Sequence, residues 1–208
     1  KRVLEPLLNG EDRLTGMHAN TQIPKVIGYK RIADLEGNTE WDKAAQYFWE
    51  TVVDNRSITI GGNSVSEHFH PANDFSSMLT SEQGPETCNT YNMLRLTKML
   101  YATTANSHYM DYYERAVYNH ILSTINPIQG GFVYFTPMRA GHYRVYSQPQ
   151  TSFWCCAGSG MENQHDTALT DLFYDIIAQF AIRHITISIL KFFQQIVGKH
   201  TMFFLIIL

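Results

Sequence analysis

From Asn89 to Thr124 the apolar residues fall at helical intervals on both sides of one short break, a pattern that few architectures accommodate. Met93, Leu96 and Leu100 form one stripe, with Asn89 or Thr90 placed to cap it. After the break at Thr103 to Ser107, the stripe resumes as Met110, Tyr113, Val117, Ile121 and Thr124, and Pro127 ends it. Helix, short loop, helix predicts two antiparallel packed helices. The same period runs through Thr39 to Asp54 in Trp41, Ala44, Ala45, Phe48 and Val52, behind a Thr39/Asp42 pair that resembles a capping box. Pro24 stands where a first helical residue would, ahead of Val26 and Ile27.

Short extended pieces lie in the connections. Ser57 to Ile60 leads into Gly61-Gly62, and Gly131 to Phe135 with His142 to Tyr146 flanks Ala140-Gly141 as a β-hairpin would. The expected fold is therefore mainly α with short β-hairpins in the connections, organised over residues 1–163. From about Gln164 the composition changes. Residues 164–208 read as an atypical apolar tail, expected of a frameshifted or truncated gene, ending in the apolar run Met202 to Leu208. No fixed-period repeat or low-complexity segment interrupts the chain.

The chain has 208 residues, enough for one domain with a core or for a piece of a larger one. With 44% hydrophobic and 17% charged residues, disorder is excluded. A net charge of -3 offers no basic footprint, which argues against nucleic acid. No apolar run is long enough for a membrane span. The opening KRVLEPLLNGEDRL has neither an initiator Met nor an apolar signal core and reads as a cut or processed end.

The chain has three cysteines, two of them adjacent in FWCCAGSGMEN and the third upstream in GPETCNTYNMLRL. That is too few for a disulfide framework, so a metal site, a reactive thiol and buried structural cysteine all stay open. Glu86 and Cys88 are two residues apart, and in an extended segment they would share a side; Cys155 and Cys156 add two sulfurs from another segment. Taken singly, other polar residues have ordinary readings. Glu67 suits a solvated loop, His68 and His70 a hydrogen-bonded turn, Glu114 an exposed helix face, and His18 a cap or core position. Gly61-Gly62-Asn63 lacks the Lys-Ser/Thr of a phosphate loop.

Together, GGNSVSEHFHP, GPETCNTYNMLRL, YYERAVYNHIL and FWCCAGSGMEN resemble, in this order, the β-L-arabinofuranosidase family of glycoside hydrolases, family 127. The resemblance covers roughly His18 to Asn163. It implies part of an (α/α)6-barrel catalytic domain and a Zn2+ ion held by Glu86, Cys88, Cys155 and Cys156. It also implies that Cys155 is the nucleophile, that Glu67 is the general acid/base, and that His18, Glu114 and Tyr134 contact the sugar. The implied substrate is a glycan or glycopeptide with terminal β-L-arabinofuranose. A thiolate would then replace one of the two carboxyls that most retaining glycosidases use. Zinc-stabilised carbohydrate-binding without turnover, or an inactive remnant, is the alternative.

Overall fold

The computed structural model describes residues 3–165. The chain divides into two units, Lys1–Gln164 and His165–Leu208. The apolar tail expected over 164–208, Met202 to Leu208 included, thus lies almost wholly outside the described residues.

Helices dominate the first unit: α1 (Leu4–Leu8), α2 (Ala19–Glu36), α3 (Thr39–Arg56), α4 (Ser76–Thr80), α5 (Thr87–Thr104) and α6 (Ser107–Ala116). A π-helical turn, Val117–Ile121, and a 3-10 turn, Leu122–Thr124, prolong α6. Residues 155–165 are helical again. α2 packs on both α3 and α5, and α5 on α6. Tight connections make these neighbours: Gly37 caps α2 at φ 69°, and Ala105 caps α5 at φ 52°.

The expected apolar stripes meet in one core. Phe48, Val52, Met93, Leu96, Leu100 and Ile121 are fully buried there with Ile23 and Val26. Removing each large side chain from water contributes ~1.5–3 kcal/mol. Trp49 is buried between α3 and α5, and its indole donates to Thr97 Oγ1 at 2.8 Å. Two buried cations are paired. Lys30 reaches Asp42 at 2.7 Å, and Arg56 reaches Asp12 at 2.6 Å. Each would be costly if left alone.

Tertiary contacts move several helix ends from where local pattern puts them. Asn38, not Thr39, caps α3, its side chain accepting from the backbone N–H groups of Glu40 and Trp41. Pro24 lies inside α2 instead of opening it, because the Ala19 N–H is satisfied at 2.8 Å by the Glu67 carbonyl and the helix can begin there. α5 starts before Asn89, with Glu86 as its extended N-cap residue and Cys88 in its first turn. The Glu86/Cys88 pair is therefore half extended and half helical.

The hairpin expected over 131–146 is reduced to a bridge between Val133 and Tyr146, with the Ser147 N–H donating to the Phe132 carbonyl at 2.8 Å. Ile125 and Glu86 take the other bridges of that segment, to Phe132 and Phe135. Gly61 fits its turn for two reasons. Its φ is 88°, and a Cβ there would stand 2.5 Å from Ala116 Cβ.

Candidate active site

Two helix starts supply most of the polar site. Cys88 sits in the first turn of α5, while Cys155 and Cys156 open the helical run at 155–165. Helix N-termini carry partial positive charge and unpaired N–H groups, which favours thiolates and carboxylates. Glu86, the N-cap residue of α5, completes a cluster in which one ligand atom from each residue lies within 4.8 Å of all the others.

The spacings suit a small ion. Cys155 Sγ is 3.8 Å from Cys156 Sγ, and Cys156 Sγ is 3.8 Å from Glu86 Oε1. A tetrahedron with bonds of ~2.3 Å to sulfur has edges of about that length. Cys88 Sγ lies closer to Cys156 Sγ, at 3.1 Å, and Ser159 Oγ is 3.0 Å from Cys88 Sγ. Glu86 Oε2 is buried with no hydrogen-bond partner among the described residues. A buried carboxylate with one unpartnered oxygen, grouped with three sulfurs, fits a soft divalent cation better than it fits a set of protonated thiols.

Burial pushes the Glu86 carboxyl up to about 8, helped by the neighbouring Cys88 and Glu67. The hydrogen bond shared with Cys156 holds the Cys88 thiol below its ordinary range. Cys156, the other partner in that hydrogen bond and buried itself, is pushed well up. Cys155 is raised chiefly by desolvation, although it is the exposed member of the three.

Beside the cluster, Glu67 stands on a strained turn. Val65 and His68 exchange backbone hydrogen bonds, and the two residues between them, Ser66 and Glu67, have φ 47° and 68°. Positive φ at both central positions is the sign pattern of a type I′ turn, one that non-glycine residues adopt at a cost. The turn holds the half-buried Glu67 carboxylate within 3.6 Å of His18 Nε2. The Tyr134 hydroxyl donates to the other oxygen of Glu67 and also lies within hydrogen-bonding reach of the Cys155 thiol. Its own ionisation is strongly suppressed, first by burial and then by Glu67.

Seven of the eight residues singled out in the sequence thus meet in one place: His18, Glu67, Glu86, Cys88, Tyr134, Cys155 and Cys156. Glu114 is exposed on α6, and no described contact joins it to them. Ser159 and Trp154 were missed. Ser159 follows Cys155 and Cys156 by four and three residues, a spacing that shares a helix face once 155–165 is read as helix. Trp154 packs edge-on against Tyr134 with ring centroids 5.9 Å apart.

A cluster of one glutamate and three cysteines, set on two helix starts beside the half-buried Glu67, defines a metal-type site on a helical scaffold. The chain belongs to the β-L-arabinofuranosidase family: the family model described as Beta-L-arabinofuranosidase, GH127 catalytic domain, matches residues 1–168. Among curated proteins no sequence matches. Several solved structures share its fold, two of which illustrate the likeness. A GH127 β-L-arabinofuranosidase from Geobacillus stearothermophilus is 20% identical, with a TM-score of 0.59 over 76% of this chain and 26% of that one. A GH127 β-arabinofuranosidase is 21% identical, with a TM-score of 0.61 over 77% of this chain and 24% of that one. The chain therefore spans about a quarter of each. Its helices are part of an (α/α)6 barrel. Among the described residues, no helix is long and apolar enough to cross a membrane.

Proposed function

We propose that the chain carries the reacting groups of a zinc-dependent retaining glycosidase that releases terminal β-L-arabinofuranose from a glycan or glycopeptide. Residues 1–163 would form the catalytic part. The observation that carries this reading is the meeting of Glu86, Cys88, Cys155 and Cys156 within 4.8 Å, next to the Glu67–Tyr134 pair.

Those four residues would hold Zn2+, which when bound keeps thiols ionised at neutral pH. Cys155 is the member open to solvent, so it is the sulfur a substrate can reach. Its thiolate attacks the anomeric carbon while Glu67, starting protonated, gives its proton to the departing oxygen. The glycosidic bond breaks and a thioglycosyl bond to Cys155 forms. Water then attacks the same carbon as Glu67 takes its proton, the carbon–sulfur bond breaks to restore the Cys155 thiolate, and the sugar leaves with retained configuration. Tyr134 orients Glu67 by donating to one of its oxygens, leaving the other to the substrate. His18, facing that second oxygen, contacts the sugar. Glu114 would need a different approach to reach it, being exposed on α6.

Purified chain should contain one zinc, lost when Cys88 and Cys156 are both replaced by alanine. It should also release aglycone from an aryl β-L-arabinofuranoside. A metal-free, inactive yet folded protein overturns the reading.

A further inference from the structure

The first turn of α5 does more than present Cys88. Consecutive helical residues point ~100° apart, so the neighbours of Glu86 and Cys88 must face other parts of the protein. Thr87 and Asn89 are both fully buried. The Thr87 hydroxyl donates to the Val133 carbonyl at 2.7 Å, and its backbone N–H donates to the Tyr134 carbonyl at 3.0 Å. Asn89 reaches a different segment. Its Nδ2 donates to Ser64 Oγ at 2.6 Å, and Ser64 is fully buried as well.

Ser64 begins the strained stretch that carries Glu67. Its φ is 71°, and Ser66 and Glu67 follow at 47° and 68°. Three non-glycine residues so close together stay in the left-handed region only where their surroundings hold them there. Backbone bonds supply part of that hold: the Ser66 N–H donates to the Gln83 carbonyl at 2.9 Å, and the Ala19 N–H to the Glu67 carbonyl at 2.8 Å. The Asn89 amide grips the start of the stretch from α5. Core stability does not account for this residue. Its Oδ1 is buried without a hydrogen-bond partner among the described residues, a cost that an apolar side chain of similar size would avoid.

We propose that Asn89 and Thr87 are positioning residues that hold Glu67 and Tyr134 in register with the metal-type cluster, acting through Ser64 and the Val133–Tyr134 backbone. The inference rests on the arabinofuranosidase reading above. A single helix start then divides its work by residue. Glu86 and Cys88 belong to the cluster, Thr87 anchors the segment of Tyr134, and Asn89 anchors the turn of Glu67.

The test compares the zinc-loaded full chain with Asn89→Ala, Ser64→Ala, Thr87→Val and Thr87→Ser on a series of alkyl and aryl β-L-arabinofuranosides. Zinc content and amide exchange are measured on the same samples. A misplaced acid is missed most where the leaving group needs its proton. Asn89→Ala and Ser64→Ala should therefore lower kcat/KM by up to about a hundredfold on alkyl glycosides and far less on nitrophenyl ones. Thr87→Val should steepen the leaving-group dependence in the same way, and Thr87→Ser, which keeps the hydroxyl, should restore it. All four should keep their zinc, while the Ser66 and His68 amides exchange several-fold faster in Asn89→Ala and Ser64→Ala. Ser64→Ala removes only the acceptor, so it reads the same contact if Asn89→Ala does not fold. Unchanged kinetics, a uniform loss across leaving groups, or loss of zinc overturns the positioning role and leaves the arabinofuranosidase reading in place. Wild-type protein without turnover overturns both.

Discussion

The Tyr134 hydroxyl donates a hydrogen bond to the Glu67 carboxylate, joining two residues 67 positions apart in the chain. The same oxygen faces the Cys155 thiol, so one side chain touches both the proposed acid and the proposed nucleophile. Tyr134 therefore links the proposed acid to the proposed nucleophile.

Replacing Tyr134 with phenylalanine should leave the fold intact and lower kcat/KM on an aryl β-L-arabinofuranoside by roughly ten- to a hundredfold. The lost interaction is a hydrogen bond to a charged group, worth ~1.5–3 kcal/mol. Glu67→Gln should cost more, ~10²–10⁴-fold, and should spare aryl glycosides with good leaving groups, which need little protonation. Steady-state kinetics with a series of leaving groups checks both; unchanged kcat/KM in Tyr134→Phe removes the orienting role.

Metal removal should act on stability as well as turnover. The three sulfurs and Glu86 come from two segments, so an ion held by them ties the start of α5 to the run at 155–165. Chelation should lower the unfolding free energy by about 4 kcal/mol when free zinc had stood at a thousandfold its Kd. Cys88→Ser, which keeps a polar atom but gives up the soft ligand, should move the apo and zinc-treated melting temperatures together. A full zinc-dependent rise in Tm in that variant would exclude Cys88 from the ligand set.

The grouping of the candidate residues was far more legible than the helix boundaries. Cys88, Cys155, Cys156 and Glu86 stand in short motifs whose local order survives folding, and so do Glu67 in SEHF and Tyr134 in GFVYFTP. The start of α2 was hidden because a carbonyl from Glu67, far along the chain, satisfies the first N–H of the helix. The choice of Asn38 over Thr39 as the cap turned on backbone conformation, since adjacent residues of similar capping propensity compete for one role. The 131–146 hairpin shrank to the Val133–Tyr146 bridge because other residues in it are bridged to Ile125 and Glu86. Pattern reports what a segment favours alone; these ends were set by partners.

The turn carrying Glu67 holds strain in its backbone that a glycine would relieve. Ser66 has φ 47° and is exposed. The left-handed region costs an L-residue ~1–2 kcal/mol, while glycine loses ~0.4–1 kcal/mol more entropy on folding. Ser66→Gly should therefore stabilise the protein by up to about 1 kcal/mol, read from urea midpoints at unchanged m-value. A loss of stability would mean that the Ser66 side chain contributes something besides strain.

His120 is fully buried on the π-helical turn, and its charge state should set part of the acid stability. Its Nδ1 lies 2.9 Å from Thr90 Oγ1 in α5, and its Nε2 lies 3.0 Å from Thr136 Oγ1, two residues beyond Tyr134. The ring thus ties the helix that carries Cys88 to the segment that carries Tyr134. Burial, with a smaller contribution from Arg144, pushes its pKa down from 6.5 to about 3. The folded protein keeps the ring neutral, whereas the unfolded chain protonates it below 6.5. Between those two values the unfolded state binds the extra proton, so stability is complete above pH 6.5 and falls as pH drops towards 3. The slope from this one group approaches ~1.4 kcal/mol per pH unit. His120→Asn should lower stability at pH 7, through the lost packing and hydrogen bonds, and should flatten the decline on the acid side. Urea unfolding of both proteins in steps from roughly pH 4 to roughly pH 7, where the two states differ in bound protons, measures the difference in slope. Parallel curves would show that His120 is not the group whose charging opens the fold.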